Sequence, residues 1–323
     1  SDEYIECYFY KVQVGANIGI KGISKLLGFM KHVYRTIGKF KNQLYAVHAC
    51  NLDAGYGAYR ACKKYDIPLI YDIYDYYIDS HSVPCFLTSL IEEMEISVID
   101  NSDTTIICTE ERQKQIEKAK QRRIEVIYNS PDIDVESVTF DNSELKYDYV
   151  YCGALGYRRL IEEILDEYPN HSDMHFLFAG AGEYAKKVKA LDKEFENFEY
   201  IGSVTYNEVL KCEKRSKVIS AIYEPTIRNH RLCAPNKFYE SLALGKPVIV
   251  CRGTGIDTVV DQYNLGATID YDAQQFYEAL KSLIYDIDKR KEISRKAVDI
   301  YSDRYAWNLM EKKLQDIYKE LDK

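Results

Sequence analysis

The sequence holds no apolar run of transmembrane length, and no secretory signal pattern opens it, so it reads as a water-soluble chain of cytosolic type. None of its nine cysteines (7, 50, 62, 85, 108, 152, 212, 233 and 251) falls in a CxxC pair. That argues against a zinc ribbon or a disulfide framework and for reduced, mostly buried thiols. No GxGxxG opens a strand-helix unit, which weighs against a nicotinamide dehydrogenase. A net charge of −8 removes nucleic acid as the default partner. Acid is absent between Cys7 and Leu52, where Lys11, Lys21, Lys25, Lys31, Arg35, Lys39 and Lys41 stand instead. Internal repeats and low-complexity tracts are absent too.

What is present is enough for two domains: 323 residues, 46% hydrophobic and 29% charged. Short apolar strands are expected at 4–12, 44–49, 67–73, 104–108 and 124–128. Helical spacing lies between them at 22–41, 53–65, 82–100 and 110–121. The second half repeats the alternation. Its strands are expected at 148–152, 175–179, 198–201, 217–222 and 247–251. Its helices are expected at 159–168, 184–195, 206–214, 235–244, 255–263 and 273–286, with an all-helical end. Alternating strands and helices imply parallel sheets with crossover helices. The polar stretch from Asn129 to about Lys146 is the natural boundary.

The most informative stretch is Pro235–Val250, PNKFYESLALGKPVIV. A short helix ends at Gly245, and Val248-Ile249-Val250 suits a strand covered on both faces. Lys237 and Glu240, three apart, share one helix face. At the mouth of a parallel sheet such a pair can hold a nucleotide, the cation by phosphates and the carboxylate on ribose. It reads equally well as an ion pair on a solvated helix.

This wording resembles the donor segment of retaining GT-B glycosyltransferases, the group 1, family 4-like enzymes that use nucleotide sugars. There a Pro-Asn-Lys-apolar-aromatic-Glu helix precedes a Gly-Lys-Pro-Val-Ile strand entry. Pro235, Asn236, Lys237, Phe238, Tyr239, Glu240 and then Gly245–Ile249 fill those places. The resemblance implies an α/β GT-B fold: two Rossmann-like domains with a cleft between them and a C-terminal helix crossing back. The domains are expected at 1–145 (acceptor side), 146–305 (nucleotide sugar) and 306–323 (the crossing helix). It also implies that Glu240 binds the donor ribose. Many members carry a second Glu eight positions earlier, where this chain has Leu232. Asn129-Ser130-Pro131-Asp132 resembles the family's interdomain linker, with Tyr128 where Pro is usual. The chain reads as opening on the family's second strand, because Gly15, Gly19 and Gly22 do not form its glycine-rich first loop.

Gly153-Ala154-Leu155-Gly156-Tyr157-Arg158-Arg159 joins a strand to a helix, where backbone N–H groups and guanidinium forks suit phosphate. By resemblance this loop carries the basic residue on the donor diphosphate, Arg158 first and Arg159 second. Gly180-Ala181-Gly182-Glu183 resembles a structural turn. Gly202 and Ser203 head the loop that, by the same resemblance, meets the nucleobase through its backbone. Asn236 completes the donor set. In Tyr223–Ala234, His230 and Arg231 are candidate sugar contacts, with Arg228 and Asn229 beside them; a surface role for this loop stays open. Tyr74 and Asp75 fall where the family has a His-acid pair. Asp75 is the acceptor- or sugar-side candidate and Tyr74 a hydrogen-bonding one, against the plainer reading of Asp75 as a helix cap. His48 ends a strand, Asp53 reads as the next helix's cap, and Thr109-Glu110 as another cap.

The expected activity is retaining transfer of a sugar from a UDP- or GDP-linked donor to a glycan or lipid-linked acceptor, in polysaccharide or glycoconjugate synthesis. Asp75, Arg158 and Lys237 are the catalytic candidates. Cations and helix N-termini can neutralise the leaving diphosphate, so metal independence is expected. The alternatives are a GT-B sugar-nucleotide epimerase and a non-catalytic nucleotide-binding partner. Residues 21–41, basic and interleaved with large apolar side chains, read either as a solvated crossover helix or as a helix docked at the inner face of the cell membrane.

Overall fold

The computed structural model describes residues 20–120, 123–134 and 145–321, with backbone alone at 20–23. The strand expected at 4–12, Gly15 and Gly19, and the middle of the polar boundary lie outside the described residues. Those up to Ile127 and from Leu314 onward form one compact unit, and Tyr128–Lys313 another.

The first unit alternates α1 (Ile20–Phe40), β1 (Val47–Cys50), α2 (Asn51–Tyr65), β2 (Leu69–Ile73), α3 (Tyr77–Ser80), α4 (Cys85–Asn101), β3 (Thr104–Ile107) and β4 (Ile124–Val126). The four strands are parallel, in the order β1-β2-β3-β4. Parallel strands are covered on both faces and so read as unbroken apolar runs. One face buries Leu69, Tyr71 and Ile73 with Leu26, Met30 and Ile37 of α1 and Ala58, Ala61 and Cys62 of α2. Each large apolar side chain so buried contributes roughly 1.5–3 kcal/mol. On the other face Ile70 and Ile106 meet Ile317, with Leu314 and Tyr318 beside it, from α12 (Trp307–Glu320).

The helix expected at 110–121 is instead a 3₁₀ segment, Glu110–Gln115. Tertiary bonds override the periodicity: buried Arg112 donates to Asp75 at 3.1 Å and Gln115 to Asp79 at 2.6 Å. Neither expected cap forms. Asp53 lies inside α2, with one carboxylate oxygen buried and unbonded, and the Thr109 hydroxyl is likewise buried without a hydrogen bond. Asn51 does the local work, its side-chain oxygen accepting the N–H groups of Tyr74 at 2.9 Å and Asp75 at 3.2 Å.

The second unit alternates β5 (Tyr147–Cys152), α5 (Ile161–Glu167), β6 (Phe176–Ala179), α6 (Ala185–Glu194), β7 (Phe198–Tyr200), α7 (Tyr206–Lys214), β8 (Ser216–Ala221), α8 (Asn236–Ala243), β9 (Val248–Cys251), α9 (Ile256–Tyr263) and β10 (Gly266–Ile269). α10 (Ala273–Tyr285) and α11 (Ile287–Ile300) follow. The sheet is parallel, in the order β10-β9-β8-β5-β6-β7. The chain steps outward from β5 to β7, then returns to β8 on the other side of β5 and steps outward again. β5 and β8 therefore flank the reversal in strand order, where open α/β sheets leave a crevice at their carboxyl ends.

Aromatic packing holds α8 in place. Phe238 and Tyr239 are buried, and the Tyr239 ring lies 5.8 Å from Tyr128 and 5.3 Å from Tyr305. Tyr305 closes a π-helical turn, Tyr301–Tyr305, and meets Tyr128 edge-on at 4.8 Å. The Tyr301 hydroxyl donates to the Pro131 carbonyl.

Candidate functional site

The carboxyl ends of β5 and β8 carry the loops that matter. After β5 the chain passes Gly153 at φ +154° and closes against its neighbour: Gly153 N–H donates to the Ala179 carbonyl at 2.9 Å. A Cβ on Gly180 would stand 1.8 Å from the Gly153 carbonyl oxygen, so only glycine lets these two strand-end turns touch. Further along, Arg158 at φ 67° and Leu160 at φ 58° occupy the left-handed region that L-residues avoid. Two clamps hold this strained turn. The Arg158 carbonyl accepts Glu224 N–H at 3.1 Å, and Leu160 N–H donates to the Tyr271 hydroxyl at 2.7 Å. Strain of this kind gathers at functional sites.

Lys237, in the first turn of α8, leans over this loop. Its ammonium sits 5.0 Å from the Tyr151 ring centre and 2.7 Å from where a Cβ on Gly153 would be. Arg159 lies over the Tyr223 ring at 5.5 Å. Lys237 and Arg159 both act on the Tyr223 hydroxyl, although burial wins and raises its pKa. The exposed side chain of Arg158 joins Arg159 in disfavouring a second charge on His230, which burial already holds below the ordinary histidine value. The His230 Nδ1 donates to the Glu224 carbonyl at 3.0 Å and its ring meets Tyr223 edge-on at 5.3 Å. Arg231 donates to the Pro225 carbonyl at 2.7 Å. This is a cationic shelf on aromatic supports, at the reversal point of the sheet.

Glu240 is one turn along α8 from Lys237 and is 3% exposed. Burial raises its pKa, while Lys237 and a hydrogen bond with Tyr206 pull the other way. Sequence reading missed Glu213. Its side chain on α7 is fully buried, and neither carboxylate oxygen has a hydrogen-bond partner. Burial first, then the charge of Glu240, drive its pKa well above the ordinary carboxylate value. Asn236 and Ser203 are exposed; Gly202, at φ 71°, accepts the Gly180 N–H at 2.7 Å.

Tyr74 and Asp75 belong to the first unit, at the carboxyl end of β2. Tyr74 is 53% exposed and its hydroxyl accepts the Cys50 thiol at 3.3 Å. Asp75 is held by Arg112.

Residues 147–286 match the family Glycosyl transferases group 1. No curated protein matches the chain. Among solved structures, Anabaena Alr3699/HepE in complex with UDP is similar at a TM-score of 0.66 and 16% identity, over 89% of this chain and 82% of that one. Sucrose-phosphate synthase from Thermosynechococcus elongatus is similar at 0.69 and 13% identity, over 96% and 82%. A glycosyltransferase from Rickettsia africae is similar at 0.64 and 15% identity, over 97% and 85%. The α/β fold with two parallel sheets is therefore that of the GT-B glycosyltransferases, as the donor-segment wording implied.

Proposed function

We propose that the protein is a glycosyltransferase whose second unit binds a nucleotide-diphosphate sugar, most simply a UDP-sugar, as in the Anabaena structure holding UDP-glucose. The observation that carries this reading is the joint placement of Lys237, Arg159 and buried Glu240 at the carboxyl ends of β5 and β8. Glu240 accepts the ribose hydroxyls. Lys237 and the strained Gly153–Leu160 turn take the diphosphate, with Arg159 braced on Tyr223 beside them and Arg158 at the rim. Gly202 and Ser203 border the base, and Asn236, His230 and Arg231 the sugar.

Transfer then proceeds with retention. Negative charge grows on the departing diphosphate, and fixed cations and N–H groups stabilise it without reorganising. The diphosphate takes the proton of the attacking hydroxyl, and no enzyme nucleophile or metal ion is required. Asp75 and Tyr74 serve the acceptor or sugar. The acceptor is a glycan or lipid-linked glycan of a surface polysaccharide.

Calorimetry of the full chain against UDP, GDP and ADP tests the donor reading. One nucleoside diphosphate should bind at 1:1 and lose affinity on Glu240→Gln; no binding by any of the three overturns it. Sugar transfer or donor hydrolysis then separates a transferase from an epimerase or a non-catalytic partner.

A membrane role for α1 takes a narrower form. No described helix is long and apolar enough to cross a bilayer. Leu26, Met30 and Ile37 are already buried within the first unit, so the apolar stripe is not free to insert. Lys31, Arg35, Lys39 and Lys41 face outward, and any docking is electrostatic adsorption to anionic lipid. Reversing Lys31, Arg35 and Lys39 to Glu should abolish co-sedimentation with anionic vesicles at low salt. Wild type that stays in the supernatant leaves α1 a solvated crossover helix.

A further inference from the structure

The carboxyl ends of β1 and β2 in the first unit carry a second set of chemistry-bearing side chains that the donor reading does not use. His48 and Cys50 alternate along β1, and Asp72 is the register partner of Cys50 on β2, so all three project together. An imidazole nitrogen, the thiol sulfur and a carboxylate oxygen lie within 4.8 Å of one another. His48 Nε2 stands 3.2 Å from Asp72 Oδ2, and the two side chains are 24% and 16% exposed. The cluster is thus sheltered but reachable from water.

Two surrounding contacts fit a cation. His48 Nδ1 is 2.9 Å from the Tyr318 hydroxyl. If Nδ1 donates there, the lone pair of Nε2 turns toward Asp72 and Cys50. Metal-bound histidines are oriented in this way by a partner on the other ring nitrogen. On the far side, the Cys50 thiol donates to the Tyr74 hydroxyl at 3.3 Å, and that hydroxyl can donate back to the sulfur once it is a thiolate.

We propose that His48, Cys50 and Asp72 form a binding site for a divalent transition-metal ion of the zinc class. Imidazole, thiolate and carboxylate together suit Zn²⁺, whereas Mg²⁺ and Ca²⁺ prefer oxygen alone. With bonds of about 2.0–2.3 Å, donors around a tetrahedral ion sit roughly 3.3–3.8 Å apart, so small side-chain rotations close the set. Three protein ligands leave the fourth position for water or a ligand oxygen. On loading, the thiol proton passes to solvent, the ion offsets the repulsion between the new thiolate and the Asp72 carboxylate, and Tyr74 loses the thiol as a donor. The proposal concerns the first unit and stands whether or not the donor reading does.

The test uses the full chain stripped with chelator, then titrated with Zn²⁺ alone and with Co²⁺ alone. One Zn²⁺ should bind per chain. The Co²⁺ form should show thiolate-to-metal charge-transfer absorption, lost in Cys50→Ser and kept in Cys85→Ser, a control at an exposed thiol. Tyr318→Phe should weaken Zn²⁺ binding by about 10- to 100-fold, the cost of losing the group that orients a ligand. In wild type, Zn²⁺ should also protect Cys50 but not Cys85 from alkylation, a readout that needs no variant to fold. Absence of stoichiometric binding, a charge-transfer band that survives Cys50→Ser, or unchanged Cys50 alkylation overturns the proposal.

Discussion

Both units end their parallel strands in loops that gather polar side chains, yet they gather opposite kinds. The first unit sets a thiol, an imidazole and carboxylates at the ends of β1 and β2: His48, Cys50, Asp72 and Asp75. The second sets cations over aromatic rings at the ends of β5 and β8: Lys237 over Tyr151 and Arg159 over Tyr223. The same layer architecture thus offers electron-pair donors in one unit and positive charge in the other. The sheet supplies the place, and a handful of loop residues supply the chemistry.

The hardest way to break the contrast is to remove positive charge from the second shelf. Lys237→Ala should cost the nucleoside diphosphate about 10- to 100-fold in affinity, the worth of a charge-assisted hydrogen bond, and cost the bare nucleoside little. Equal losses for both ligands in calorimetry would point to misfolding. Arg159→Ala should exceed Arg158→Ala in the same assay, because Tyr223 fixes the first while the second is exposed.

Buried carboxyls sharpen the comparison. Glu95 in the first unit accepts the Tyr71 hydroxyl at 3.0 Å and Tyr77 N–H at 3.1 Å, and burial pushes its pKa up to about 8. A folded pKa above the unfolded one gives stability that is full below about 4.5 and declines as pH rises to about 8. The first unit should therefore lose a few kcal/mol of stability across that window. Glu95→Gln gives up part of one hydrogen bond but should flatten the slope, as read by urea unfolding at several pH values. In the second unit burial raises the pKa of Glu240; with the proposed role of its carboxylate on the ribose, nucleotide affinity should fall as pH falls through that raised value. The smallest effect belongs to Glu213. Burial drives its pKa well up, so replacement by the neutral isostere, Glu213→Gln, should leave nucleotide affinity near neutral pH within about twofold (0.4 kcal/mol). A tenfold loss would mean that Glu213 is ionised.

Much of this was readable in the chain. Strands buried on both faces appear as short apolar runs, which is why β5, β6, β8 and β9 fall within a residue or so of expectation. β10 was not, because Gly266-Ala267-Thr268-Ile269 is an edge strand with only Ile269 buried. The 3₁₀ segment at Glu110–Gln115 escaped because the partners of Arg112 and Gln115 are more than 35 residues away. At the site, Lys237 and Glu240 were legible because their spacing and the glycine after them fix a helix entering a strand. Tyr151, Tyr223 and Glu213 were not. A tyrosine at a strand end looks like core, and a glutamate in an amphipathic helix looks solvated until the fold buries it. The thiol, imidazole and carboxylate of the first unit come together only through the register of β1 and β2, which no local pattern reveals.

The ring stack of Tyr128, Tyr239 and Tyr305 has a consequence for how the chain can be shortened. It ties the helix bearing Lys237 and Glu240 to a turn that lies more than sixty residues further on. Cutting at Ile300 would spare every side chain assigned to the donor yet remove both Tyr305 and the Tyr301 hydroxyl that holds Pro131. The turn at Tyr301–Tyr305 is therefore part of what holds α8 in place, and a chain cut before it would lose the ring packed against the helix that carries Lys237 and Glu240.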